Sequence, residues 1–318
     1  MTTVQDQATD LPLTVVSKIR LSTDVVGITL AGAGAEPLPQ WEAGAHIDVQ
    51  CGDLRRQYSL CGDPDDRQRY QIAVLREPDG RGGSTYLHDT LEPSDILWVS
   101  RPRNTFALEP ASRYVFIAGG IGITPILPML AGAERRGADW MLHYGGRTRA
   151  GMAFVAELGR HGNRVRIHPQ DEVGRIPLAD ALGKPDRDAK IYCCGPTPLL
   201  DAVAGASEHW PDGSLHVERF SRVALDTDTE RGFDVRLASS GGTYHVPRDR
   251  TILEVLTDAG VDVVSSCEVG TCGTCEATVL EGVPDHRDSV LTPQERKEGQ
   301  YMMLCVSRCL SDTLVLDL

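Results

Sequence analysis

The sequence predicts a multi-domain protein in which an antiparallel β-barrel is followed by an α/β domain with a parallel sheet and by a C-terminal α+β domain. Three observations indicate this architecture. Short apolar runs separated by Gly, Pro and Asp clusters fill residues 13–108. From residue 112, apolar strands alternate with helical segments, and residues 232–318 contain a compact cysteine motif. A chain of 318 residues is long enough for two or three domains with ample core.

The first domain is predicted from short strands with the spacing of a small barrel or sandwich. They cover residues 15–21, 25–30, 46–50, 70–76 and 95–99. A glycine-rich loop then precedes a helix predicted at residues 85–90, and its sequence is Gly80-Arg81-Gly82-Gly83-Ser84. Such a turn exposes N–H groups to an anion, to which Arg81 and Ser84 would add a charge and a donor. Taken alone, a loop of this kind is more often an ordinary turn.

The second domain is predicted to contain a parallel sheet with crossover helices. Its strands cover residues 114–118, 140–144, 165–168 and 190–194, and its helices cover residues 125–136, 153–159 and 197–207. The first strand runs into a loop with three glycines and a proline, which are Gly119, Gly120, Gly122 and Pro125. Another strand ends in the turn Cys194-Gly195-Pro196. The two turns are predicted to meet at the carboxyl edge of the sheet, where they can cradle a pyrophosphate.

Three cysteines near the C-terminus have the C-x4-C-x2-C spacing that holds a plant-type 2Fe-2S cluster, and these are Cys267, Cys272 and Cys275. Cys305, with 29 residues between it and Cys275, can supply the fourth thiolate. The loop must curl around two irons and offer backbone N–H groups to the sulfurs. Gly270 and Gly273 permit the positive φ angles that such a curl needs.

The residues alone leave other roles open for these thiols. Structural zinc also uses four cysteines, although usually as two close pairs, and disulfides would need an oxidising compartment that no secretory signal indicates. Cys309 lies four residues after Cys305, so both would point the same way in a helix and one would be a spectator. The other thiols match no ligand spacing and are predicted to be small buried residues, namely Cys51, Cys61, Cys193 and Cys194.

The charge argues against two classes of partner. With 32 basic and 45 acidic residues the net charge is −13, which disfavours nucleic acid and an anionic membrane surface. Residues 232–318 carry 14 acidic and 7 basic side chains, a balance of −7, which suits a basic redox partner or is simply a solvated surface. The uncharged run at residues 114–133 is broken by glycines and prolines and is not a membrane span. We expect a cytoplasmic, monomeric protein.

Residues 232–318 resemble a plant-type 2Fe-2S ferredoxin, with Leu304 preceding the last of the four cysteines. Segments 233–238 and 243–247 predict a hairpin, and residues 251–260 predict a short amphipathic helix that ends at a glycine. The resemblance implies a β-grasp fold whose cluster ligands are Cys267, Cys272, Cys275 and Cys305.

Residues 13–318 as a whole are similar to the ferredoxin-NAD(P)H reductase superfamily. The similarity rests on a flavin motif at Arg56, Tyr58 and Ser59, on the loop at residues 119–125 and on the turn at residues 194–196. With a C-terminal ferredoxin module, the chain most resembles the phthalate dioxygenase reductase branch, which includes vanillate O-demethylase reductases. The resemblance implies an FMN-binding barrel at residues 1–108, an NAD(H)-binding domain at 109–222, a linker at 223–231 and a ferredoxin domain at 232–318.

The resemblance also implies roles for individual residues. FMN would meet Arg56, Gly82, Gly83 and Ser84 at its phosphate, Tyr58 and Ser59 at its ribityl chain and ring, Val74, Leu75 and Thr124 around the isoalloxazine, and Phe220 stacked on the ring. The nicotinamide nucleotide would contact Gly119, Gly120, Gly122, Thr124, Pro125, Cys194, Gly195 and Pro196. No side chain is assigned as an acid or a base. Without the resemblance, Phe220 and Tyr58 would be ordinary core aromatics.

The implied function is that of an NAD(P)H-dependent flavin and iron-sulfur oxidoreductase of aromatic catabolism. Electrons would pass from NADH through FMN and the 2Fe-2S cluster to a terminal Rieske-type oxygenase in a transient complex. A haem-thiolate monooxygenase is the alternative acceptor, and a non-enzymatic iron-sulfur redox sensor is the alternative class. NADPH stays an alternative donor, because Arg147 and Arg149 suit a 2′-phosphate whereas Asp171 and Glu172 suit a ribose hydroxyl.

Overall fold

The computed structural model describes residues 10–34, 36–80, 82–220, 230–265, 267–288 and 290–318. The predicted linker at residues 223–231 lies outside the described residues except for its last two, and Arg81 lies outside them as well. Contacts divide the chain into two compact units, Met1–Glu218 and Arg219–Leu318. Within the described ranges, no helix combines the length and the apolar character needed to cross a membrane.

An antiparallel barrel opens the first unit, and its strand order is β4-β3-β6-β1-β2-β5 with β7 beside β3. The strands are β1 Leu11–Arg20, β2 Val25–Gly32, β3 Ala45–Cys51, β4 Leu54–Ser59, β5 Arg69–Leu75, β6 Ile96–Val99 and β7 Arg103–Asn104. The two ends of this order meet, because Leu60 forms a bridge with Ile72 and the Cys61 N–H donates to the Gln71 carbonyl at 2.9 Å. Alternate residues such as Val15, Ile28 and Ile47 fill the core. The predicted barrel is confirmed.

A short helix, α1 (Gly83–Asp89), follows β5 and packs against the barrel. The Lys18 ammonium on β1 donates to the carbonyls of His88 at 2.7 Å and Leu91 at 2.6 Å. These bonds satisfy carbonyl groups at and just beyond the end of the helix, which have no partner within it. At its other end α1 begins against β4, since a Cβ on Gly83 would lie 2.6 Å from Arg56 Cγ.

A five-stranded parallel sheet completes the first unit, with strand order β10-β9-β8-β11-β12. The strands are β8 Arg113–Gly119, β9 Asp139–Gly146, β10 Val165–Pro169, β11 Ala189–Cys194 and β12 Leu215–Glu218, and the helices are α2 Ile123–Arg135, α3 Val155–Leu158, α4 Gln170–Val173, α5 Leu178–Leu182 and α6 Thr197–Ala206. Neighbouring residues on β8 point to opposite faces of the sheet. Phe116 packs with residues of α2 on one face, and Ile117 packs with residues of α6 on the other. The predicted parallel sheet is confirmed.

Two details of this sheet differ from the sequence analysis. The helix expected at residues 153–159 is only the single turn α3, because Phe154 has a φ of +62° and starts the helix late. Strand β12 was not predicted, since its four residues include a histidine and a glutamate and form no apolar run.

The barrel and the parallel sheet touch within the first unit. The Thr23 N–H donates to the Ala150 carbonyl at 3.0 Å. A small apolar cluster joins Leu75 of the barrel to Ile121 in the loop after β8, and it also contains Leu21, Val25, Cys61, Ala73, Ala153 and Phe154. Strand β5 and the glycine loop are therefore neighbours.

The second unit contains a mixed sheet with strand order β14-β13-β19-β15-β17, and a separate pair, β16 and β18. Its elements are β13 Phe233–Leu237, β14 Thr243–Val246, α7 Ile252–Asp258, β15 Glu276–Glu281, β16 Pro284–Asp285, α8 Pro293–Glu298, β17 Tyr301–Met303, β18 Arg308–Cys309 and β19 Thr313–Leu316. The first and last strands, β13 and β19, pair in parallel at its centre. Thr251 and Glu254 form a capping box at the start of α7. This arrangement is the predicted β-grasp fold.

A buried ion pair links the residues just before β13 to the core of the second unit. Arg308, only 2 % exposed, contacts Glu230 at 2.7 Å from Nε to Oε2. Its Nη1 and Nη2 groups donate to the carbonyls of Arg250 at 2.7 Å and Arg231 at 2.9 Å. The guanidinium also lies over the Phe233 ring, 5.0 Å from its centre.

We predict that Glu230→Gln destabilises the second unit by about 3–5 kcal/mol, because it leaves a buried guanidinium without its counter-charge. Urea unfolding followed at the visible absorbance of the loaded protein measures this change. Asp258→Asn is the matched control, since it removes the partner of the more exposed Arg250 and should cost less than about 1 kcal/mol. Equal costs for the two variants would contradict the prediction.

Candidate functional site

The four predicted cluster ligands lie together as two thiol pairs. The Cys267 thiol interacts with that of Cys272, and the Cys275 thiol interacts with that of Cys305. In each pair the partner thiol is the main cause of a lowered pKa, at Cys267 in the first pair and at Cys275 in the second. Within the described residues, no three His, Cys, Asp or Glu side chains surround a single ion position. A two-and-two arrangement suits a cluster with two irons, each of which takes two thiolates.

The backbone of the cysteine loop points toward the sulfurs. The N–H groups of Val269 and Thr271 donate to Cys267 Sγ, each at 3.4 Å, which stabilises a thiolate. Gly270 has a φ of +77°, and a Cβ there would lie 2.6 Å from Val306 Cγ2. Glycine is therefore required at this position for the loop to close against the segment that carries Cys305.

Cys309 makes contacts of its own with Ser311. The segment after Cys305 is a turn followed by β18, so the helix that would align the two cysteines does not form. The Cys309 thiol lies 2.9 Å from the Ser311 carbonyl and 3.1 Å from the Ser311 hydroxyl. Of the two candidates, Cys305 is the one that pairs with Cys275. The ligand set itself stays a prediction.

The predicted FMN phosphate residues converge where β4 meets α1. A Cβ added to Gly83 would lie 2.6 Å from Arg56 Cγ, so the absence of a side chain lets α1 begin against the stem of this arginine. Gly82 has a φ of +97°, which favours glycine. The Ser84 hydroxyl accepts from the Glu77 N–H at 3.1 Å. A guanidinium, a glycine turn and a hydroxyl are thus neighbours, as an anion site requires.

The other predicted flavin residues differ in how accessible they are. Tyr58 is partly buried against the barrel core, and burial, with the nearby Cys51 thiol, raises the pKa of its phenol. Ser59 is buried, and Val74 is fully enclosed in the core with its carbonyl bonded to the His88 ring. Leu75 is half-buried in the cluster that contains Ile121. The assignment of these residues to FMN stays a prediction.

The two turns of the parallel sheet meet as predicted, because β8 and β11 pair in parallel with Ala118 opposite Cys194. A Cβ on Gly122 would lie 2.3 Å from the Cys194 carbonyl oxygen, and a Cβ on Gly195 would lie 3.0 Å from Gly119 Cα. The turns therefore pack backbone against backbone, and Gly122 has no room for a side chain.

The rest of the nucleotide loop is partly open. Gly120 has a φ of +56°, and a Cβ there would have no atom within 4 Å. The buried Thr124 hydroxyl donates to the Ile121 carbonyl at 3.0 Å, and Pro125 lies in the first turn of α2. Pro196 and Leu199 close the other side of Gly119. The open backbone around Gly120 is where a nucleotide phosphate could approach.

Sequence analysis missed one buried acid at this edge. Glu218 lies opposite Cys194 across β11 and β12, and its Oε2 is 4.0 Å from Cys194 Sγ. Burial raises the pKa of Glu218 to about 8 and raises that of the Cys194 thiol as well. The sequence feature that could have pointed to this acid is the glutamate between Val217 and Arg219, two residues before Phe220. Phe220 is 39 % exposed, and its stacking on a flavin stays a prediction.

We predict that Cys305→Ser abolishes cluster assembly whereas Cys309→Ser, its matched control, retains it. The hydroxyl of serine is a much weaker iron ligand than a thiolate, and the Cys309 thiol bonds to Ser311. Iron content and visible absorbance after anaerobic preparation measure the outcome. Loss of the cluster from the Cys309 variant would contradict the assignment.

We predict that the first unit loses stability as the pH rises from about 4.5 to about 8, because neutral Glu218 keeps its proton in the folded state and loses it on unfolding. The slope from this group is at most about 1.4 kcal/mol per pH unit. Glu218→Gln removes this component, and chemical unfolding at several pH values measures it. Glu208→Gln, an exposed control, should keep the wild-type pH dependence. An unchanged pH dependence in the Glu218 variant would contradict the prediction.

Comparisons with known proteins agree with this geometry. The family model described as a 2Fe-2S iron-sulfur cluster binding domain matches residues 235–310. The phthalate dioxygenase reductase of Burkholderia cepacia is 41 % identical over 325 aligned residues, covering 100 % of both chains. A solved structure of phthalate dioxygenase reductase, described as transferring electrons from pyridine nucleotides to [2Fe-2S], is 40 % identical with a TM-score of 0.75, covering 99 % of this chain and 100 % of that one.

A second solved structure contains a similar part. An intact type IV self-sufficient cytochrome P450 monooxygenase is 47 % identical with a TM-score of 0.84, and the match covers 97 % of this chain and 41 % of that one. This chain thus spans about two fifths of the length of that P450. The full-length match to the reductase, by contrast, covers all of both proteins, and the chain therefore belongs to the family of phthalate dioxygenase reductase and related reductase subunits of oxygenase systems.

Proposed function

We propose that this chain is the reductase component that carries electrons from NADH to a terminal Rieske-type oxygenase. FMN, NADH and a 2Fe-2S cluster are the cofactors of its family. A bound flavin supplies the conversion of one hydride into two single electrons, which an iron-sulfur cluster can accept one at a time. The observation that carries the proposal is the contact cluster shared by Leu75 and Ile121, because it sets the flavin strand beside the nucleotide turns.

The residues of the chain then have binding and shielding roles. Arg56 and the N–H groups before α1 would hold the FMN phosphate, and the open backbone at Gly120 would hold the nucleotide phosphates. Buried Thr124 and Cys194 help to keep water from the carboxyl edge of the sheet. Cys267 and Cys272 would bind one iron, and Cys275 and Cys305 the other. No side chain has to move a proton in this scheme.

We infer three functional domains. They are an FMN-binding barrel at residues 1–108, an NAD(H)-binding domain at 109–222 and a ferredoxin domain at 232–318, with a linker at 223–231. The ion pair of Glu230 with Arg308 supports a linker whose last residues belong to the ferredoxin domain. The packing of Leu75 with Ile121 supports one functional site built from the first two domains.

Anaerobic titration with NADH tests the proposal. We predict flavin and cluster absorption bands in the purified protein, and we expect NADH to bleach both at about three electrons per chain, two for the flavin and one for the cluster. A protein with cluster bands that NADH leaves unchanged would instead be an iron-sulfur sensor. A protein with zinc in place of iron would also contradict the proposal.

The electron acceptor has two candidates, a Rieske-type oxygenase and a haem-thiolate monooxygenase. The match to the P450 favours the haem-thiolate monooxygenase. The 47 % identity to the self-sufficient P450, against 40 % to the reductase structure, supports a haem-thiolate monooxygenase as the alternative acceptor. The NADH-reduced protein is offered in parallel to a purified Rieske-type oxygenase and to a purified P450. Faster cluster reoxidation by the Rieske protein supports the first candidate, and faster reoxidation by the P450 supports the second.

A further inference from the structure

An exposed ion pair lies beside the proposed nucleotide turns, where β9 and β10 end. Strand β9 follows β8 in the chain and pairs with it in the sheet. In nucleotide-binding parallel sheets, side chains beyond the strand that follows the glycine turn meet the adenosine ribose. Arg149 follows β9, and Glu172 follows β10, so both lie at the carboxyl edge that carries Gly120.

Arg149 and Glu172 form a bidentate ion pair. Arg149 Nε lies 2.9 Å from Glu172 Oε1, and Arg149 Nη2 lies 2.7 Å from Glu172 Oε2. Each group is about half exposed, at 50 % for the arginine and 43 % for the glutamate, so the pair faces solvent. The hydrogen bond between them is the main reason that the pKa of Glu172 is lowered and that of Arg149 raised. The carboxylate occupies the Nε and Nη2 edge of the guanidinium, which is one of the two edges that can bind a phosphate in a bidentate way.

We propose that Glu172 makes this reductase select NADH over NADPH by occupying Arg149. The inference rests on the proposed function and adds the residue that determines its nucleotide preference. A 2′-phosphate would have to displace the Glu172 carboxylate from Arg149 and then lie beside that carboxylate and the neighbouring Asp171. The 2′-hydroxyl of NADH carries no charge and meets no such repulsion.

The structure also explains why the ion pair can act without disturbing the fold. Arg149 lies in a 3-10 turn, where the Thr148 hydroxyl accepts the Gly151 N–H at 3.2 Å. Glu172 lies in the single-turn helix α4, whose Gly174 N–H donates to the Gln170 carbonyl at 3.2 Å. The local backbone bonds do not involve either charged group. Exposed ion pairs contribute little to stability, so a substitution here changes charge more than it changes folding.

Steady-state kinetics with both nucleotides tests the inference. We expect Glu172→Gln to raise the ratio of kcat/KM for NADPH to kcat/KM for NADH by on the order of tenfold, because Arg149 becomes available to the 2′-phosphate. The double variant Arg149→Gln/Glu172→Gln should lose this gain. Glu134→Gln, which removes an exposed acid paired with Arg164 at the opposite edge of the sheet, should keep the wild-type ratio.

A binding measurement separates recognition from turnover. Adenosine 2′,5′-bisphosphate, a probe with the 2′-phosphate and no nicotinamide, should bind Glu172→Gln on the order of tenfold more tightly than wild type, with adenosine 5′-monophosphate as the reference. An unchanged ratio in Glu172→Gln, a gain that persists in the double variant, or a wild type that prefers NADPH would overturn the inference. A wild type reduced by neither nucleotide would instead overturn the proposed function.

Discussion

Contact between two backbones at the edge of the parallel sheet is the constraint on which the candidate site depends. Parallel pairing of β8 with β11 sets Gly119 beside Gly195 and Gly122 against the Cys194 carbonyl, at separations that leave no room for a Cβ. Because neither turn can carry a side chain there, the backbone N–H groups of the loop stay accessible to a ligand. The same loop also contributes Ile121 to the cluster with Leu75, so its position is set from two sides.

In the second unit, one short segment is positioned by a buried ion pair and by a thiol pair. Cys305 and Arg308 lie within four consecutive residues, the first paired with Cys275 and the second with Glu230. One short segment therefore contributes to the proposed cluster site and also binds Glu230, just before β13. Gly270 closes the cysteine loop against Val306 in the same segment. A buried ion pair adds little net stability compared with apolar packing. Because its charges are satisfied in one geometry, however, it favours a single conformation of this segment.

The sequence predicts the features of the site that depend on local residue types. It does not predict those that depend on how distant strands align. The meeting of the two glycine turns follows from strands that end in small residues at the carboxyl edge of a parallel sheet. The pairing of Cys305 in preference to Cys309 depends on a turn that follows it, and spacing alone suited a helix equally well. Glu218 was missed because its burial comes from the alignment of β12 with β11, and a four-residue strand with a glutamate has no apolar pattern to reveal it.

Recognition and selectivity therefore have different physical origins in this sheet. In the proposed function the glycine turns would present backbone groups to the phosphates that NADH and NADPH share, and they would not distinguish the two nucleotides. Discrimination has to come from side chains at the neighbouring strand ends, where Arg149 and Glu172 lie. Those side chains are exposed, so we expect substitutions there to cost little stability, whereas Gly122 has no room for a side chain. If both proposals hold, the nucleotide preference can change at the strand ends while the backbone contact at the proposed phosphate site stays intact.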